Sequence, residues 1–217
     1  MTSARAPAVG IGALLLTEHA LKGESAGSVD ADLERAAADL QKAVDKRGPL
    51  AAAAPRPNER GAVSHTSSRQ RDFDLRIHLA DAYGRLENFD AQAKVLAEAL
   101  ELAKGMPDLG ADRRRNVFGQ AAELAIERQD FARAEGCIEE LLRQVGPEGG
   151  ANAMGAALLA KCVAGIASTE EKQRLGSRAV ALLALALEHD ELSRGQAATG
   201  TFAPLRGRAD YEALLDK

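Results

Sequence analysis

Four histidines, two cysteines and one short glycine turn are the residues of this chain whose types could support chemistry. His19, His65, His78 and His189 are scattered along the sequence. None stands four residues from another histidine, the spacing at which one helix face offers two imidazoles to a metal. His78 adjoins Leu79 in a helical stretch and, lacking a partner, reads as an ordinary solvated or satisfied imidazole. Gly10-Ile11-Gly12 matches the opening of a dinucleotide-binding turn, but the third glycine and a preceding strand are missing. No Gly-x-Ser-x-Gly elbow presents a nucleophilic serine. Ser64 to Ser68 could accept a phosphate, and a solvated spacer is the simpler reading. Cys137 and Cys162, 25 residues apart within apolar stretches, are too few for a zinc site or a disulfide framework. They read as small buried hydrophobes in a reducing compartment. No catalytic residue, cofactor or metal is therefore expected, and the chain is expected not to be an enzyme.

Function must then come from the elements and the faces they expose. Of 217 residues, 46% are apolar and 28% charged, enough apolar content for a packed core. Only seven are aromatic, five Phe and two Tyr, while Ala and Leu carry the apolar fraction. Pleated faces pack with β-branched and aromatic side chains, so this composition excludes a β-sandwich or barrel and points to an all-α fold. The net charge is -4. A duplex-binding domain wears a basic stripe, whereas the one basic run here is Arg113-Arg114-Arg115 behind Asp112, which reads as a solvated helix start. No nucleic-acid partner is expected. Ala6 to Leu16 is an apolar run of signal-peptide length, but Glu18, His19, Lys22 and Glu24 follow at once. It falls short of the roughly 20 residues that span a bilayer. A first helix, no membrane partner and a cytoplasmic location are the expectations.

Helical periodicity organises the rest. Asp30 to Lys46 places Leu33, Ala36, Ala37, Leu40 and Val44 on one stripe, with Gly48-Pro49 as a stop. Residues 1–47 are thus expected to form an N-terminal helical hairpin. Pro49, Pro55 and Pro57 and a Ser-rich end mark residues 48–70 as a flexible linker. Residues 71–217 then alternate helix and break: Phe73 to Leu86, Ala91 to Lys104, Asp112 to Arg128, Phe131 to Val145, Ala151 to Ile166 and Glu170 to Glu188. A short helix closes the tail between Leu205 and Leu215.

The second helices align on a small residue, a large apolar residue four later, and a small or apolar one three after that. The sets are Ala36/Leu40/Ala43, Gln92/Leu96/Ala99, Ala134/Ile138/Leu141 and Ala179/Leu183/Ala186, with anchors 56, 42 and 45 residues apart. Phe89 and Phe131 precede two of the anchors by three residues, while Gly176 breaks that pattern in the last set. The stretch Asn116 to Pro147, with Phe118, Ala121, Ala122, Ala125, Phe131, Ala134, Ile138 and Leu141, resembles the tetratricopeptide repeat, a helix–turn–helix unit of about 34 residues. Phe73 to Pro107 is similar through Leu79, Ala80, Tyr83, Phe89, Leu96 and Ala99, with Gln92 where the family has a small residue. The end of the chain, AKCVAGIAS and then FAPLRGRADYEALL, is similar to the close of the tetratricopeptide region attached to bacterial serine/threonine protein kinases. No kinase motif accompanies it.

That resemblance implies an α-solenoid of helix–turn–helix hairpins with a capping tail, binding a partner along the first helices. Its groove positions fall on Asp74, Ile77, His78, Asp81 and Arg85, and on Asn116, Gln120, Glu123, Ile126 and Glu127. The Lys and Asn set with which co-chaperone members clamp a carboxylate is absent. Four carboxylates make the groove acidic, which favours a basic or apolar protein segment as partner. The alternatives are a regulatory or sensor module that binds a small ligand beside bacterial kinase signalling, and a homo-oligomer docked through its N-terminal hairpin.

Overall fold

In the computed structural model, which describes residues 26–47 and 62–216, every regular element is helical. In chain order these are α1 (Ala26–Arg47), α2 (Ala62–Arg85), α3 (Phe89–Lys104), α4 (Ala111–Glu127), α5 (Phe131–Val145), α6 (Ala151–Gly165) and α7 (Thr169–Glu188). Two short helices, α8 (Arg194–Ala197) and α9 (Ala209–Leu215), close the chain. Single 3-10 turns occupy Pro147–Gly149 and Gly200–Leu205. No described helix is long and apolar enough to cross a membrane.

Three equivalent side chains start the second helix of each hairpin. Asn88, Asp130 and Ser168 each accept a hydrogen bond from the backbone N–H three residues on, satisfying a donor that the helix leaves orphaned. These caps stand 42 and 38 residues apart. The same offsets relate Ala80, Ala122 and Ala160 on the first helices, and Ala99, Leu141 and Ala179 on the second, all fully buried. Small side chains at these sites let two helices approach, and fully buried Leu79, Leu96, Ile138, Leu159 and Leu183 fill the space around them. Each such large side chain contributes about 1.5–3 kcal/mol by leaving water.

The first two hairpins solve one contact in opposite ways. A Cβ on Gly84 would come within 2.7 Å of Gln92 Nε2, so the missing side chain on α2 makes room for the amide on α3. The equivalent residues in the next hairpin are Ile126 and Ala134, with large and small exchanged. Gln92 is thus a compensated departure.

The sequence alignment of the last hairpin is corrected by seven residues. Ala179 is equivalent to Leu141, while Lys172 stands where Ala134 does. Seven residues are nearly two helical turns, so the apolar pattern matches as well at either register, and the caps decide between them. On α1 the buried residues are Ala37 and Val44, with Leu33 and Leu40 half-buried and Ala36 exposed. Residues 62–70, expected in the linker, are helical: the helix-breaking prolines all lie before Ala62, and nothing after it interrupts the ladder. The expectations for residues 1–25 and 48–61 lie outside the described residues.

Hairpins meet in chain order. α1 packs on α2, α3 on α4 and α5 on α6, while the first helices also touch one another, α2 with α4 and α4 with α6. The tail covers the far end, its 3-10 turn against α6 and α9 against α7, with Phe202, Leu205 and Tyr211 buried. Tyr211 Oη donates to Ala197 O at 2.8 Å. Arg208 bonds Gln173, Ser177 and Asp210 and lies directly over Gly176. Cys162 is buried as expected, whereas Cys137 is half-buried, and both are free thiols. Burial pushes the Cys162 thiol up to about 11, with Glu135 adding to the shift.

Candidate functional site

Helical spacing puts Asp74, His78, Asp81 and Arg85 on one stripe of α2, and Asn116, Gln120, Glu123 and Glu127 on one stripe of α4. All eight are at least partly exposed, and the structure sets the two stripes side by side. Ile77, projected onto the same face, is instead buried in the core, and Ile126 is half-buried.

Two ion pairs stitch the first helices together. Arg113 Nε and Nη2 donate to Asp74 Oδ1 and Oδ2 at 2.7 and 3.0 Å, joining α4 to α2. Lys161 Nζ donates to Glu123 Oε1 at 2.5 Å, joining α6 to α4. Arg85 pairs with Asp81 at 3.1 Å along α2. The face is consequently less acidic than its carboxylates imply, because Asp74, Asp81 and Glu123 each have a cation beside them. Glu127 makes no ion pair or hydrogen bond among the described residues and is the free carboxylate of the set.

The amides lie between. Gln120 Nε2 donates to Asn116 Oδ1 at 3.0 Å, while Gln120 Oε1 is buried without a donor. An unsatisfied buried carbonyl costs about 1–3 kcal/mol, so this atom is a local weak point of the face. The third stripe, on α6, escaped the sequence reading because the last hairpin was misregistered. It carries half-buried Ala153, Met154 and Ala157, with Met154 lying over Gly119 of α4. The spacing of Asn88, Asp130 and Ser168 is the signal that would have found it.

The basic triplet is structural. Arg113 holds Asp74; Arg114 donates to Leu109 O, Met106 O and Gln144 Oε1; Arg115 bonds Gly149 O and Asp112. Its guanidiniums tie the start of α4 to three neighbouring segments, in place of the expected solvated helix start.

The opposite side has its own network. Glu135 accepts from Arg174 and Arg178, linking α5 to α7, and Arg178 also pairs with Glu139. The Arg174 hydrogen bond is the main reason the Glu135 carboxyl is held below its ordinary value, and Arg178 adds to it. Asp90 pairs with Arg128 in the preceding junction. Between α1 and α3 lies an open cleft of about 1050 Å³, lined by Val44, Tyr83, Val95 and Leu102 among charged residues of both signs. Arg76, only 5% exposed, lines it and donates to Glu98 and to Asp72 O.

No group of three or more His, Cys, Asp or Glu among the described residues is arranged to hold a metal ion. Protein-family models, curated proteins and solved structures give no match to this chain. Its site is defined by its own geometry.

Proposed function

We propose that the chain is a non-enzymatic, tetratricopeptide-like scaffold that holds a protein partner along the face of α2, α4 and α6. One observation carries the reading: three equivalent first helices present their stripes on one side, in a register held by Asp74–Arg113 and Glu123–Lys161. Such ties fix a face without filling it, as a rigid docking platform requires. The equivalence of the hairpins and the covering of the last pair by the tail support an α-solenoid. Irregular offsets of 42 and 38 residues fit a solenoid whose units differ in length. The free thiols fit a reducing compartment.

Affinity capture from native lysate tests the reading, using the wild type beside an Asn116→Lys/Glu127→Lys variant. Both positions are exposed, so the variant keeps the fold. A partner held by the wild type and lost by the variant supports the scaffold role. A partner held equally by both removes the face from it.

A second reading is a small-ligand sensor working through the α1–α3 cleft, favoured by its volume and by the buried Arg76 guanidinium. Saturable thermal stabilisation by a small molecule, lost on Arg76→Met, distinguishes it from the scaffold.

A further inference from the structure

Equivalent positions on the three first helices differ in chemistry across the face. Asp74, Asn116 and Met154 occupy one position, related by offsets of 42 and 38; Asp81, Glu123 and Lys161 occupy another. From α2 to α6 the first of these positions passes from charged to amide to apolar. Met154 and its neighbours Ala153 and Ala157 form an apolar spot between α4 and α6. Glu127, at the other end of α4, is the one carboxylate of the candidate set left without a cation among the described residues.

We infer that the face takes an extended peptide segment bearing one apolar side chain, seated at Met154, and one basic side chain, seated at Glu127. This rests on the scaffold reading above and specifies its partner. A basic residue supplies the charge that Glu127 lacks, and its like-charged alternative is repelled. Because this is an all-helical face, no open strand edge is offered, so side chains must carry the selection.

The geometry also sets the spacing. Met154 stands level with Asn116, eleven residues before Glu127 on α4, or about 16 Å along the axis at about 1.5 Å per residue. Neighbouring helices lie about 9 Å apart. The diagonal is therefore about 19 Å, which an extended chain covers in about six residues. Gln120 lies along that path. A main-chain N–H passing over it supplies the donor that Oε1 lacks, once the amide turns outward.

A random decapeptide display library panned on the full chain tests this. The expected result is enrichment of peptides with a Leu, Ile, Met or Phe and a Lys or Arg five to seven positions apart. Glu127→Gln then weakens the leading peptide about threefold at low salt and little at high salt, the behaviour of one exposed ion pair. Replacing the peptide's own basic residue by Ala adds no further loss in that variant. Enriched peptides without the spaced pair, or indifferent to Glu127→Gln and to Met154→Ser, overturn the inference while leaving the scaffold reading standing. No enrichment of any peptide overturns both.

Discussion

Arg113 grips Asp74 across two helices through two parallel hydrogen bonds, of 2.7 and 3.0 Å. The fork geometry matches a guanidinium to a carboxylate, and the contact raises the guanidinium's already high pKa through the hydrogen bond to Asp74. Both side chains are substantially exposed, so solvent and salt discount its strength. A double-mutant cycle with Asp74→Ala and Arg113→Ala is expected to give a coupling of about 0.5–1 kcal/mol, measured by chemical denaturation and shrinking as salt is raised.

The tail is expected to matter more than any surface pair. Phe202 is buried where the 3-10 turn meets α6, and Phe202→Ala should cost about 3–5 kcal/mol through lost burial and the cavity left behind. Tyr211→Phe removes the hydroxyl that Ala197 O accepts from and should cost about 1–2 kcal/mol. Thermal melts of the two variants check the order; a larger loss for Tyr211→Phe contradicts this packing.

Two glycines should respond with opposite signs. Gly146 ends α5 at φ 70° and ψ 178°, a region that side chains scarcely enter, so Gly146→Ala should destabilise by about 1–3 kcal/mol. Gly136 sits exposed inside α5, where an added Cβ meets nothing within 4 Å. Gly136→Ala should stabilise by about 0.5–1 kcal/mol through helix propensity. Urea titrations of the pair test the α5 boundary.

Glu135 predicts an acid-sensitive junction. Its carboxyl is held below its ordinary value by Arg174 and then Arg178, so its native state binds fewer protons than the unfolded chain. The stabilisation is fully present above the ordinary carboxyl pKa and is lost as pH falls through the lowered native value. Glu135→Gln should destabilise at neutral pH by about 1 kcal/mol and flatten that acid limb. Stability curves of wild type and variant against pH read both effects.

Cys162 should be inert. Its thiol is buried and pushed up to about 11, so almost no thiolate forms near neutrality. Half-buried Cys137, also raised by burial, should alkylate slowly, and Cys162 only on unfolding. Iodoacetamide labelling followed by mass spectrometry gives the order.

The helices were legible because Ala, Leu and the turn residues agree locally. α5 begins at Phe131 and ends at Val145 as the spacing implied, with Asp130 before it and Gly146 after it. The register of the last hairpin was not legible, because an apolar pattern shifted by seven residues returns to the same face. The groove stripes on α2 and α4 follow from helical spacing alone. Their charge state does not, since Arg113 and Lys161 reach their carboxylates from 39 and 38 residues away. Buried Ile77 shows the same limit: one residue separates it from exposed His78, a rotation that pattern cannot resolve at the edge of a stripe.

Hydroxyl-radical footprinting of the complex recovered from lysate tests the central claim most directly. Met154 is half-exposed on the proposed face, and its sulfur oxidises readily. The scaffold account predicts that the partner protects Met154 and His78, while Lys94 and Tyr83 at the α1–α3 cleft stay as reactive as in the free chain. Unchanged oxidation of Met154 with protection confined to Lys94 and Tyr83 contradicts it and moves the binding site to the cleft.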